Sequence, residues 1–212
     1  MRNTNITHET ERLADYMQRH CYTEDLSRQF DGILGHLLRN FEERIPIVKD
    51  WNRQARAGFD YYEEITDKIG ELFEMMPPFT DVLGPLYMAI RGKFKGSNLG
   101  QFFTPAAVSH LLSSLTLNEA DFSKAEPVTL NEPCCGSGGL LLSGAQYAYQ
   151  TFGKEALRKL SVTAGDVDPA CVAMTTIQFM YNWENAQLPL HSLDVAANDA
   201  AVCLPAQLEM EL

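Results

Sequence analysis

The stretch that decides the fold is VTLNEPCCGSGGLLLSGA, residues 128–145. A β-prone run, Val128 to Asn131, leads through Glu132 and Pro133 to a glycine-rich turn and an apolar run from Leu140. This order predicts a strand, a tight turn and the start of a helix. Glycines permit positive φ and close approach of a ligand, and the first helical N–H groups are free to bind one. The stretch therefore predicts a ligand-binding turn, although an ordinary strand-to-helix connection can have the same pattern.

Two flanking stretches narrow the interpretation. Upstream lies GQFFTPAAVSHLL, residues 100–112, and downstream lies VTAGDVDP, residues 162–169. In this order the three stretches resemble the N6-adenine DNA methyltransferases, in particular the modification subunits of type I restriction-modification systems. In that family a GQFxTP segment, a (D/E)P-x-CGSGG turn and a strand that ends in an acid form the S-adenosylmethionine (SAM) pocket. The resemblance runs from about Asp81 to about Asp194.

The resemblance implies an α/β fold with a Rossmann-like SAM-dependent methyltransferase core, and SAM as cofactor. By this resemblance Thr104 helps to hold the SAM carboxylate, Asp166 accepts from both ribose hydroxyls, and Asp194 meets the adenine amino group. Asp168 is the second candidate for the ribose ligand, although capping of the next helix explains it adequately. The complete set of expected cofactor-binding residues is Gln101, Phe102, Thr104, Glu132, Pro133, Gly136, Ser137, Gly138, Asp166 and Asp194.

Apolar residues at helical spacing predict four helices near the N-terminus. The first is short and includes Leu13 to His20, and the others cover Phe30–Phe41, Gly58–Met76 and Thr80–Arg91. We interpret Met76-Pro77-Pro78-Phe79 as a helix stop. The helices predict a helical N-terminal subdomain, residues 1–98, before a SAM-binding Rossmann-like domain, residues 99–212.

The second domain should hold a helix opened by Thr104 as N-cap and Pro105 as first helical residue. Its buried face should consist of Val108, Leu111, Leu112 and Leu115. Strands are expected at 128–131, at 162–165 with Asp166 at the end, and at 188–193 with Asp194 at the end. The sheet thus looks truncated, because methyltransferases of the resembled class have seven strands.

The charge distribution limits the kinds of partner that the protein can bind. The net charge is −11, which argues against a general nucleic-acid binder. Residues 1–100 carry a net −3 and residues 101–212 a net −8, so the first half is the better candidate for DNA contact. Arg91, Lys93 and Lys95 form a basic loop that is either a solvated linker or a phosphate contact. The acidic second half suits a cationic sulfonium cofactor.

The cysteines predict no metal site. There are five, with no CxxC pair and no His at metal-type spacing, and we expect reduced thiols in a cytoplasmic protein. Cys134 and Cys135 are interpreted as packing residues beneath the glycine turn rather than a reactive pair. No apolar run approaches the length of a membrane span, and the first residues do not resemble a secretory signal.

The (N/D)PP(Y/F) motif, with which the resembled family binds the target adenine, does not occur in the sequence. The catalytic residues are therefore unknown, and we expect a protein of N6-adenine DNA methyltransferase type that is inactive or partner-dependent as this chain. DNA would be bound weakly or through a partner, either a specificity or completing subunit or a homo-oligomer. The alternative is a non-catalytic SAM-binding regulatory or interaction protein derived from such an enzyme. A nicotinamide-dependent oxidoreductase fits less well, because the turn lacks the GxGxxG spacing.

Overall fold

A computed structural model describes residues 5–20, 26–41, 59–92, 103–184 and 186–197. The chain divides into two compact units. One comprises Met1–Pro77 and Val82–Gln101, and the other comprises Pro78–Asp81 and Phe102–Leu212. The chain thus leaves the first unit between two of its helices, contributes four residues to the second unit, and returns. The boundary expected at residue 98 remains a prediction.

The first unit is helical in the described ranges, as predicted. Its helices are α1 (Ile6–His20), α2 (Leu26–Arg39), α3 (Phe59–Met75) and α4 (Leu83–Gly92). Helix α1 packs on α4, and α2 packs on α3. The apolar faces expected from the sequence are buried, with Phe30, Ile69 and Leu86 each at most 1% exposed. The first helix, at 15 residues, is longer than expected. Within the described ranges, every helix is too short or too polar to cross a bilayer.

The second unit is built on a parallel three-stranded sheet in the order β1-β2-β3. The strands are β1 (Val128–Glu132), β2 (Leu160–Asp166) and β3 (Ser192–Ala197). The helices of this unit are α5 (Ala106–Thr116), α6 (Glu119–Ser123), α7 (Gly139–Phe152), α8 (Lys154–Leu157) and α9 (Pro169–Glu184). Helices α7 and α9 connect successive strands, so the predicted α/β fold with a Rossmann-like core is confirmed.

Helix α9 is buried nearly all round. Its residues 170–180 are all buried, whereas the sequence predicted one buried side. One flank packs on β2 and β3. Another is covered by the Pro78–Asp81 segment, where the Phe79 ring lies 6.2 Å from the Phe179 ring and the Phe79 N–H donates to Asn182 Oδ1 at 2.8 Å. Pro78 and Phe79, which the sequence indicated only as part of a helix stop, therefore help to enclose the core of the second unit.

The buried face of α5 differs from the prediction. Val108, Leu111, Leu112 and Leu115 are 45%, 57%, 42% and 73% exposed, so the apolar face expected inside lies outside. Ser109 and Ser113 are buried instead, at 0% and 4% exposure, on the helix that packs against α7. Small side chains at such a contact let two helices approach closely, which explains why the serine face is the inner one.

The third strand also differs from the prediction. The expected strand, residues 188–193, precedes the observed one, which spans Ser192–Ala197. Leu188 and Leu190 are buried, but they lie in the segment that precedes the strand. Their apolar side chains therefore imitated a strand in the sequence. Asp194 consequently lies within β3, opposite Thr163, rather than at its end.

Candidate cofactor site

The glycine turn between β1 and α7 has the backbone that the sequence predicts. Gly136 has φ 56° and Gly138 has φ 87°, in the left-handed region that favours glycine. The Gly138 N–H donates to Cys135 O at 2.8 Å, and Gly138 is the N-cap of α7. The first N–H groups of α7 lack partners within the helix, as in any helix, and point toward the turn. The turn can therefore present backbone donors to an anionic or hydroxyl group.

Asp166 joins this turn to the carboxyl end of β2. Its Oδ2 accepts from the Gly136 N–H at 2.9 Å, and its Oδ1 accepts from the Asp168 N–H at 2.9 Å. The Cys135 N–H donates to Gly165 O at 2.8 Å, which brings the two loops together a second time. Asp166 is 9% exposed. A carboxylate has about four acceptor positions, so two remain for a ligand after these bonds.

Glu132, Pro133 and Asp168 each have a local role. Glu132 ends β1, and its Oε1 accepts from the Cys134 N–H at 3.2 Å, which holds the carboxylate beside the turn. Pro133 follows on the exposed surface. Asp168 Oδ1 accepts from the Ala170 N–H at 2.9 Å, so the predicted capping of α9 is confirmed.

The two adjacent cysteines differ in environment. Cys135 is 6% exposed, accepts from Thr175 Oγ1 at 3.4 Å, and lies under the turn as predicted. Burial raises the pKa of its thiol to about 12, so it stays protonated at neutral pH. Cys134 is exposed, so its predicted packing role is wrong. No group of three or more potential metal ligands occurs among the described residues.

Polar side chains along one face of α9 donate hydrogen bonds to the turn, and the sequence did not lead us to expect them. Thr175 Oγ1 donates to Gly136 O at 3.1 Å, and Gln178 Nε2 donates to Ser137 O at 2.8 Å. Gln178 Nε2 also lies 3.0 Å from Asp81 Oδ1, and Ser137 Oγ donates to Asp81 Oδ2 at 2.6 Å. The available signal was Thr175, Gln178 and Asn182, three polar residues at helical spacing in a largely apolar helix.

The segment before α5 reaches the turn through Phe103. The Phe103 ring would lie 2.9 Å from a Cβ added at Gly136, so ring and turn are in contact. Thr104 follows and is exposed. The predicted N-cap is wrong, because α5 begins at Ala106 and Pro105 is the N-cap, without a side-chain hydrogen bond. Gln101 and Phe102 lie outside the described residues.

Asp194 is not brought to the turn. It lies opposite Thr163 in the register, whereas Asp166 lies opposite Ala197, three residues further along β3. Since side chains alternate along a strand, Asp194 and Asp166 point to opposite faces of the sheet. Asp194 Oδ1 is buried and has no hydrogen-bond partner within the described residues, and desolvation raises the pKa of this carboxyl above its ordinary value.

The predicted DNA-contact residues are described only in part. Lys93 and Lys95 lie outside the described residues. Arg91, near the end of α4, directs its guanidinium to the Tyr87 hydroxyl, at 2.9 Å from Nε and 2.6 Å from Nη2. Contact of these residues with DNA stays a prediction.

Comparison with known protein families identifies the class of this chain. The family model for N-6 DNA Methylase matches residues 79–200, more than half of the sequence. This chain belongs to the N-6 DNA Methylase family. The match begins at Phe79, within the segment that joins the second unit. A comparison with curated proteins finds no match.

Two solved structures are similar to this N-6 DNA Methylase family member over most of its length. One, described as a class I S-adenosylmethionine-dependent methyltransferase from Listeria monocytogenes, has a TM-score of 0.53 at 14% identity over 94% of this chain. Another is the methyltransferase subunit of a type I restriction-modification system from Streptococcus thermophilus, with a TM-score of 0.46 at 15% identity over 95% of this chain. This chain spans only 55% and 60% of the length of those two proteins. The first likeness shows that the fold is that of a methyltransferase.

Proposed function

We propose that this chain binds SAM at the glycine turn and is the cofactor-binding part of an N6-adenine DNA methyltransferase. The observation that carries the proposal is the hydrogen bond from the Gly136 N–H to Asp166 Oδ2, in a chain of the N-6 DNA Methylase family. This bond joins a positive-φ glycine turn to an acid at the carboxyl end of the next strand. In parallel α/β sheets, this edge is where ligands bind.

The residues at the turn fit such a cofactor. Asp166 accepts from the ribose hydroxyls with the acceptor positions that its backbone bonds leave open. The backbone of Gly136 to Gly138, with the N-terminus of α7, approaches the ligand closely because two residues have no Cβ. Glu132 and Asp166 place negative charge beside a ligand whose sulfonium is positive. SAM supplies the methyl group when bound.

The remaining expected residues form the outer part of the proposed site. Thr104 is proposed to help hold the SAM carboxylate, since the adjacent Phe103 contacts the turn, and Gln101 and Phe102 are proposed as neighbours of the pocket. Asp194 faces the other side of the sheet, so we leave the acceptor for the adenine amino group unassigned.

We propose that methyl transfer to DNA depends on a further polypeptide. The sequence contains no Asn or Asp followed by Pro-Pro, and Met76-Pro77-Pro78-Phe79 offers only a methionine sulfur, a very weak acceptor. The completing partner is a specificity subunit, another segment of such an enzyme, or a second copy of the chain. DNA contact through Arg91, Lys93 and Lys95 belongs to this proposal, as does a cytoplasmic location.

The alternative is a SAM-binding protein that regulates or recruits without catalysis. The observation in its favour is the same missing tetrapeptide, together with the net charge of −8 on residues 101–212, which opposes DNA contact. Both functions share the SAM site and differ in whether a partner restores methyl transfer.

Isothermal titration calorimetry with SAM, S-adenosylhomocysteine and NAD tests the site. We expect both sulfur compounds to bind with one site per chain, and NAD to bind at least about a hundredfold more weakly, a difference near 2.7 kcal/mol. A chain in which Gly136 is replaced by Val is the control. There the Cβ would lie 2.9 Å from the Phe103 ring at a φ of 56°, so SAM binding should be lost. NAD binding as tight as SAM binding would overturn the assignment.

A further inference from the structure

Asp81 lies in the Pro78–Asp81 segment, 56 residues before Ser137, and it contacts the glycine turn. We propose that Asp81 is a positioning residue for the cofactor, which fixes the Ser137 side of the turn in its binding conformation. This inference rests on the proposed function, because the cofactor whose binding it controls is SAM.

The contacts around Asp81 form a closed triangle. Ser137 Oγ donates to Asp81 Oδ2 at 2.6 Å, and Gln178 Nε2 donates to Asp81 Oδ1 at 3.0 Å. The same Gln178 amide donates to Ser137 O at 2.8 Å. Ser137 is 1% exposed, so water does not easily replace the carboxylate as its acceptor. Asp81 thus holds both the Ser137 side chain and the Gln178 amide that supports the Ser137 backbone.

The turn needs such a support because of its glycines. Gly136 and Gly138 both have positive φ, and glycine loses more conformational freedom on ordering than any other residue. The Gly136 end of the turn is held by Asp166 and Thr175. The Ser137 end is held by Gln178 and Asp81. Loss of one support leaves part of the ordering to be done when the ligand binds, and this lowers affinity.

The segment that carries Asp81 is itself fixed. Gln146 Nε2 of α7 donates to Pro78 O at 2.8 Å, and the Phe79 N–H donates to Asn182 Oδ1 of α9 at 2.8 Å. Asn182 Nδ2 in turn donates to Gln178 O at 2.7 Å. Because both helices hold the segment, the Asp81 carboxylate has a defined position from which to orient Ser137.

The absence of a side chain at Gly139 agrees with this arrangement. A Cβ at Gly139 would lie 2.9 Å from Asp81 Oδ2, the oxygen that accepts from Ser137. The carboxylate is restrained by two hydrogen bonds and cannot move aside freely. Gly139→Ala should therefore disturb the same triangle from the opposite side.

The test measures SAM affinity by calorimetry in Asp81→Ala, Asp81→Asn, Ser137→Ala and the Asp81→Ala/Ser137→Ala double variant. We expect each Ala variant to weaken SAM about tenfold or more, as for loss of a hydrogen bond to a charged group. The double variant should be little weaker than Asp81→Ala alone, because Asp81→Ala already removes the hydrogen bond from Ser137. Asp81→Asn keeps an oxygen for Gln178 and an amide beside Ser137, and should bind within about threefold of the unaltered chain.

Hydrogen exchange of the ligand-free chain separates positioning from general destabilisation. Asp81→Ala should speed exchange in the peptides around residues 134–141, while β2 retains its protection. Asp121→Ala is the matched control, because Asp121 accepts hydrogen bonds from the Asn118 N–H and from Lys124, which flank α6. It should change neither SAM affinity nor exchange at the turn.

The outcomes distinguish this inference from the proposed function. An unaltered chain that binds no SAM overturns the proposed function, and the exchange experiment still decides whether Asp81 holds the turn. If the unaltered chain binds SAM and folded Ser137→Ala and Asp81→Ala bind it equally well, Asp81 has no positioning role. Ser137→Ala removes only a hydroxyl, so it decides the matter even if Asp81→Ala folds poorly. If Asp81→Asn binds SAM as weakly as Asp81→Ala, the inference is also overturned, because a side chain of the same shape at position 81 would then not hold the turn.

Discussion

Asp166 accepts from the Gly136 N–H of the turn and from the Asp168 N–H, besides its proposed contact with the ribose. Asp166→Ala should lower SAM affinity by about 1.5–3 kcal/mol, the usual range for hydrogen bonds to a charged group. It should also lower the melting temperature of the ligand-free chain, because two N–H groups lose their acceptor beside a residue that is 9% exposed. Calorimetry and thermal unfolding measure the two effects.

Asp168→Ala is the control for that substitution. It removes a helix cap of α9, which typically stabilises a protein by about 0.5–2 kcal/mol, and leaves the turn intact. Its affinity for SAM should be unchanged. If the Asp166→Ala chain folds and keeps its full affinity for SAM, the ribose contact would instead be assigned to Asp168.

Asp194 gives a prediction about pH. Desolvation raises the pKa of its carboxyl above the unfolded value, so the folded chain binds its proton more tightly. Its contribution to stability is therefore fully present below the unfolded pKa and is lost as the pH rises through the higher folded pKa. Asp194→Asn should raise the melting temperature at pH 7 and have little effect, or the opposite one, near pH 3. A variant that is stabilised equally at both pH values would contradict this account.

At the scale of elements, α5 reverses the usual relation between polarity and burial. Leu115→Ser, at a position 73% exposed, should change the free energy of unfolding by no more than about 0.5 kcal/mol. Ser109→Leu, at a position with 0% exposure, should destabilise by about 1–3 kcal/mol because the added volume meets α7. Urea unfolding of both variants measures the difference. Equal changes in the free energy of unfolding would mean that α5 packs against the protein through its leucine face.

Sequence periodicity predicts that a helix exists more securely than it predicts which face is buried. In α5 the leucines have the right spacing, but the two serines allow the closer contact with α7. The leucines before β3 imitate a strand, whereas Ser192 and Asp194 interrupt the apolar pattern of the strand that forms. The glycine turn and Asp166 were predictable because their pattern is local. Asp81 was not, because its contact with Ser137 spans 56 residues.

At the scale of the whole molecule, we expect the purified 212 residues to transfer no methyl group to DNA alone. The amino group of adenine is a poor nucleophile until acceptors hold its hydrogens and align its lone pair. The sequence has no acceptor followed by two prolines and an aromatic residue. Without this positioning, each 1.36 kcal/mol of added barrier slows transfer about tenfold.

Labelled SAM incubated with unmethylated plasmid measures this activity, and the same mixture with a candidate second subunit is the comparison. Label that enters DNA only in the presence of the second subunit would support completion by a partner. N6-methyladenine formed by the pure chain would show that an unrecognised residue accepts from the base.

The path of the chain through Pro78–Asp81 limits how the protein can be dissected. A single cut at the expected boundary after residue 98 would remove the Asp81 carboxylate from the turn and the Phe79 ring from α9. A shortened gene product that starts at residue 99 should therefore expose apolar surface and aggregate during expression. Starting the gene product at residue 77 would keep these contacts but carry α4 along without its helical neighbours. The chain therefore crosses between the two units three times instead of once, and recombination between them would have to preserve all three crossings.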